Sequence, residues 1–92
     1  MTIEDVQPII DEGMSDNFDS HDFIRELMLR NRNLYEDMIE KCGSVASANG
    51  IISIFLLNHA SALGIVKNGE IKSENINGKI TLCAKWRKIR RE

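Results

Sequence analysis

A mainly helical α+β fold, with three to four helices followed by a C-terminal β-hairpin, is what the amino-acid sequence predicts. Helix-capping residues recur ahead of apolar runs up to Gly64. Beyond it the hydrophobic period changes from helical to strict alternation, and an Asn-Gly pair stands between two candidate strands. A chain of 92 residues, 42% hydrophobic and 28% charged, fits a single domain over residues 1–92 with room for a binding surface but little for a deep active site.

Ile3, Val6, Ile9 and Ile10 suggest a short amphipathic helix ending near Gly13. Asp5 as its N-cap puts Pro8 at the third helical position, where a missing N–H is harmless. Residues Ser15 to Asp19 read as a polar turn. Asp19 with Asp22 imitates a capping box before Phe23, Ile24, Leu27 and Met28, so a second helix runs from about Ser20 to Arg30. Asn33 with Glu36 caps a third, from about Leu34 to Cys42, and Gly43 ends it. Ser44 caps the fourth and longest helix, which carries no charged residue before it stops at Gly64.

Placed at 100° intervals, Ala48, Ile51, Ile52, Phe55, Leu56, Ala62 and Leu63 share the core face of that helix. His59 falls with them and reads as a buried, hydrogen-bonded residue. Ser47, Gly50, Ser53, Asn58 and Ser61 form the opposite, small and polar face. Ile54 and Leu57 lie on this outward side and call for a packing partner. The acidic N-terminal helix or a second copy of the chain would provide one, with the first preferred in so small a domain.

From Lys79 to Arg87, Ile80, Leu82, Ala84 and Trp86 alternate with Lys79, Thr81, Cys83, Lys85 and Arg87, which describes a half-buried strand with a basic outer face. Asn77-Gly78 predicts a two-residue type I′ turn to a partner strand at about Glu70–Ile76. Asn68-Gly69 marks a further turn, after Ile65 and Val66. Trp86 falls on the inner face and reads as a core anchor in preference to a base-stacking platform.

This succession of helices and basic hairpin, over about Ser20 to Lys88, resembles the winged-helix superfamily of helix-turn-helix domains, in which the last helix enters a DNA groove and the hairpin forms the wing. The stretch Ile52 to Ile65 is also similar to small winged-helix modules of plasmid and phage replication proteins. The resemblance implies a helical core at 20–64 and a wing at 65–88, and the charge pattern adds an acidic arm or short helix at 1–19 and a basic tail at 89–92. It implies a DNA-binding protein of a regulatory or replication-associated kind. Ser47, Ser53, Asn58 and Ser61 would face the groove, and Lys79, Lys85, Arg87, Lys88, Arg90 and Arg91 would grip phosphates.

The net charge of −2 hides a segregation that bears on this expectation. Residues 1–22 sum to −7, residues 23–64 to zero and residues 65–92 to +5. The acidic segment could fold back over the basic one and mimic nucleic acid, and the basic strand could equally be a solubilising, protected edge. The alternative function is a homodimeric protein-interaction module of the same fold, without DNA binding, using Ile54 and Leu57.

No catalytic or nucleotide-binding motif is present, so neither an enzyme, a cofactor nor a small-molecule substrate is expected. Asp19, His21 and Asp22 are adjacent at a helix start and do not converge as metal ligands must. Cys42 and Cys83 read as reduced thiols. An acidic N-terminus without a signal pattern, and an apolar tract at Ile51–Leu57 about a third of the ~20 residues that span a bilayer, predict a cytoplasmic chain without a membrane segment.

Overall fold

Each helix begins on a side chain that answers its free N–H groups, and those caps set the element boundaries. A computed structural model describes residues 1–89. In chain order the elements are α1 (Ile3–Gly13), β1 (Asn17–Asp19), α2 (Ser20–Arg30), α3 (Arg32–Cys42), α4 (Val45–Leu63), β2 (Ile65–Glu74) and β3 (Ile80–Lys88). Among the described residues this is a mostly helical α+β fold of four helices and a three-stranded antiparallel sheet, ordered β1-β3-β2.

The cap of α1 is Thr2, one turn earlier than Asp5. The Thr2 hydroxyl accepts from the Asp5 N–H at 3.2 Å, and the Asp5 carboxylate accepts from the Thr2 N–H at 3.0 Å. Pro8 therefore lies inside the helix, where it cannot bond the Glu4 carbonyl. The helix tolerates this because Pro8 is exposed while Val6, Ile9 and Ile10 are buried. Asp19 and Asp22 form the expected reciprocal cap of α2, at 2.8 and 3.0 Å.

Asn31 ends α2 and caps α3 at once, its side chain accepting from Leu34 N–H at 3.3 Å. The cap of α3 is thus two residues before the expected Asn33, and no linker remains between the helices. Gly43 and Gly64, at φ of 87° and 73°, close α3 and α4 in the left-handed conformation that glycine adopts without Cβ strain.

The core gathers Val6, Ile10, Phe23, Leu27, Tyr35, Ile52, Leu56, Leu63 and Trp86 from all four helices and β3. From α4, Ala48, Ile52, Leu56 and Leu63 are buried within an arc of about 80°. That arc is narrower than expected. Ile51 is 48% exposed, Ala62 is exposed, and Phe55 is only partly covered. His59 is likewise partly buried and lies against Phe55 with ring centroids 4.2 Å apart, and no hydrogen bond to it occurs among the described residues. By length and composition α4 is apolar enough to cross a membrane, because the helix continues unbroken through the Ser and Asn residues that flank the Ile51–Leu57 tract.

The hairpin departs from expectation in three ways. Its loop has three residues, Ile76, Asn77 and Gly78, closed beyond the strand ends by the bond from Asn75 N–H to the Lys79 carbonyl at 2.8 Å, and only Gly78 has positive φ (79°) where a type I′ turn needs two such residues. The Asn75 carboxamide oxygen stabilises the loop by accepting from Asn77 N–H and Lys79 N–H at 2.9 and 3.1 Å. Gly69 (φ 85°) makes a bulge in a continuous β2, since Lys67 pairs with Trp86 and Glu70 with Ala84. Ile80 and Leu82 are 66% and 58% exposed, because the tip of the hairpin runs past the helices.

Residues 17–19, expected as part of a turn, are the strand β1. Phe18 pairs opposite Trp86, and both are buried. The Trp86 indole N–H donates to the Ser20 hydroxyl at 3.0 Å, so the tryptophan is anchored at both its apolar and polar ends.

Candidate nucleic-acid interface

The outward face of α4 and the basic strand β3 flank a groove of about 340 Å³. Ala46, Asn49, Gly50 and Ser53 line one wall, and Thr81, Leu82, Cys83 and Ala84 the other. Of the four polar residues expected on a reading face, Ser53 enters this groove. Ser47, Asn58 and Ser61 are exposed on the adjoining face of α4, with Ser47 and Ser61 about 21 Å apart along the axis. Ser47 also helps to close the helix start, its hydroxyl accepting from Ser44 at 3.0 Å.

Between these polar residues stand Ile54 and Leu57, 53% and 54% exposed, beside Ile51. The acidic helix α1 does not cover them, contrary to the preferred expectation. It spends Val6, Ile9 and Ile10 in the core, and its Gln7 side chain donates to the Leu63 carbonyl at 3.0 Å. The 1–19 segment is therefore built into the fold through α1 and β1, and is not a detachable arm.

Arg87 is exposed and Lys85 partly buried on β3, and the exposed Lys79 stands in the loop one residue before the strand. Alternation sets Lys85 and Arg87 on the side of the strand that Thr81 and Cys83 share, and Lys79 and Arg87 are about 26 Å apart along the hairpin. Lys85 stands opposite the bulge in β2 and beside Asp19 of β1, and Arg87 beside Asn17. Among the described residues none of the three forms an ion pair. Two acids of residues 1–22 pair with arginines of α2 instead, Glu12 with Arg30 at 3.4 Å and Asp22, itself in α2, with Arg25 at 3.5 Å. Lys88 is committed elsewhere, since its ammonium donates to the Met14 carbonyl and ties β3 to the end of α1. Arg90 and Arg91 lie outside the described residues.

Sequence reasoning missed two features of this surface. Ile80 and Leu82 extend the exposed apolar area onto the hairpin. His21 reaches Ser73 and Thr81 with its two ring nitrogens, at 2.7 and 3.3 Å. Alternation along β3 placed Thr81 and Cys83 on one side, and only the fold of the chain sets His21 against them. No protein-family model, no curated protein and no solved structure matches this chain.

Proposed function

We propose that this chain is a winged-helix domain that binds duplex DNA, with β2 and β3 as the wing and α4 as the helix turned to the groove. The observation that carries the reading is the set Lys79, Lys85 and Arg87, spread along the last arm of the hairpin and free of ion pairs among the described residues, next to an uncovered face of α4. Because α4 has no cation, most of the affinity falls to the wing, and sequence discrimination to Ser and Asn contacts. Three phosphate contacts correspond to a fall of log K with log salt at a slope of roughly −2.7. Fluorescence anisotropy with a labelled duplex across a salt series tests this. The triple reversal Lys79→Glu, Lys85→Glu, Arg87→Glu abolishes the salt-sensitive binding if the proposal holds, and no binding by the wild type at low ionic strength ends it.

A second reading, a homodimeric interaction module, is favoured by Ile51, Ile54 and Leu57 on an uncharged face with small neighbours. Such a face suits a helix–helix contact better than a phosphate backbone. Sedimentation velocity at micromolar concentration distinguishes them. A dimer dispersed by Leu57→Glu supports this reading, and a strict monomer removes it.

A further inference from the structure

Where β1 passes into α2, three side chains with metal-binding atoms meet. Asp19 comes from the helix cap, His21 from the first turn and Cys83 from β3, and their ligand atoms all lie within 4.8 Å of one another. Asp19 and His21 are each 8% exposed, and Cys83 is half-buried. Two separate constraints hold the backbone here: the reciprocal cap between Asp19 and Asp22, and the pairing of Cys83 with Ile71 across the hairpin. Neighbours along one helical turn diverge, which is why Asp19, His21 and Asp22 make no site. The sheet replaces Asp22 with a thiol from the far end of the chain.

We propose that Asp19, His21 and Cys83 bind a single divalent cation of the zinc class. A carboxylate oxygen, an imidazole nitrogen and a thiolate sulfur form a donor set suited to zinc and to its spectroscopic substitute cobalt, and foreign to magnesium or calcium. The donors can be freed without dismantling the fold. Asp19 Oδ1 is held by the Asp22 N–H at 2.8 Å, while Oδ2 has no hydrogen-bond partner among the described residues. His21 touches Ser73 Oγ through Nδ1 and Thr81 Oγ1 through Nε2. One nitrogen turns to the metal and the other keeps its hydroxyl as acceptor, which fixes the tautomer and the ring plane. Ser73 Oγ also lies 3.6 Å from Cys83 Sγ, where a hydroxyl can donate to a thiolate.

Tetrahedral zinc, with bonds of about 2.0–2.3 Å, sets its donor atoms roughly 3.3–3.8 Å apart. The present cluster must contract by about 1 Å, which is within the reach of side-chain torsions. On binding, the Cys83 thiol releases its proton to solvent and the sulfur bonds to the cation, so affinity falls as pH falls. Three protein ligands leave a fourth position for water. The ion would fasten the start of α2 to the middle of the hairpin, whether or not the hairpin meets DNA.

The test is titration of the reduced, metal-free full chain with cobalt(II). One equivalent produces the near-ultraviolet thiolate-to-cobalt charge-transfer band, and zinc(II) displaces it. Cys83→Ser loses the band and Cys42→Ser, whose thiol stands on α3, retains it. His21→Gln weakens binding at least tenfold with an unchanged far-ultraviolet circular dichroism spectrum. Zinc raises the melting temperature of the wild type and of Cys42→Ser, and a chelator reverses the rise. A wild-type protein with no charge-transfer band at neutral pH overturns the proposal by itself. So does a band that survives Cys83→Ser or disappears with Cys42→Ser.

Discussion

Replacing Ser20 with alanine orphans the indole N–H of Trp86. Both residues are 1% exposed and the bond is 3.0 Å long, so neither a side chain nor bulk solvent can take over the donor without rearrangement. An unsatisfied buried donor costs about 1–3 kcal/mol, a substantial part of the roughly 5–14 kcal/mol that a domain of this size possesses. At roughly 4–8 °C per kcal/mol, a loss of about 2 kcal/mol lowers the melting temperature by roughly 8–16 °C. Trp86→Phe is more damaging by itself, since it opens space in the core, but it removes the orphaned donor. Ser20→Ala in that background then costs less than about 0.5 kcal/mol, leaving a coupling of about 1–2 kcal/mol. The four proteins are compared by urea unfolding. Because Trp86 is the chain's one tryptophan, the readout is far-ultraviolet circular dichroism in place of fluorescence. Equal costs of Ser20→Ala in both backgrounds would refute the reasoning.

Two glycines make a paired prediction. Gly50→Ala, mid-helix in α4 with open space around the new methyl group, stabilises by about 0.5–1 kcal/mol. Gly43→Ala, with equal space but φ at 87°, destabilises by about 1 kcal/mol, and urea midpoints that move in the same direction exclude the backbone explanation. Burial pushes the Tyr35 phenol above its ordinary value, so the unfolded chain ionises first and stability is lost as pH rises beyond about 10. Phenolate absorbance of this sole tyrosine follows the titration directly, and a folded-state midpoint below that of the urea-unfolded chain contradicts the sign.

The legible parts of the sequence were those governed by local geometry. Asp19 with Asp22, Ser44, Gly43 and Gly64 act within one turn of their own position, and they set the start of α2, the end of α3 and both ends of α4 as expected. The Asn-Gly signals were sound about φ and ambiguous about use. A glycine at positive φ serves a three-residue loop at Gly78 and a bulge at Gly69, and a short window does not separate these from a two-residue turn. β1 was hidden because three residues show no period and its one apolar member, Phe18, acquires meaning only opposite Trp86.

The candidate interface divides in the same way. Lys79, Lys85 and Arg87 were legible as one side of a strand, since alternation is local. The commitment of Lys88 to Met14, the uncovered Ile54 and Leu57, and the meeting of Cys83 with Asp19 and His21 all depend on how distant elements pack.

The pairing of β1 with β3 also sets an order of events during synthesis. Phe18 pairs opposite Trp86 and the Ser20 hydroxyl accepts its indole N–H, so the four helices emerge from the ribosome before the residue that completes their core. Closing a loop of that length costs entropy that only the finished sheet repays, and until Trp86 pairs, the core it shares with Val6, Phe23 and Leu56 is incomplete. The decisive step in folding is therefore the late, long-range pairing of β3 with β1. The chain's greatest exposure to aggregation lies in the interval before the last strand is free to pair.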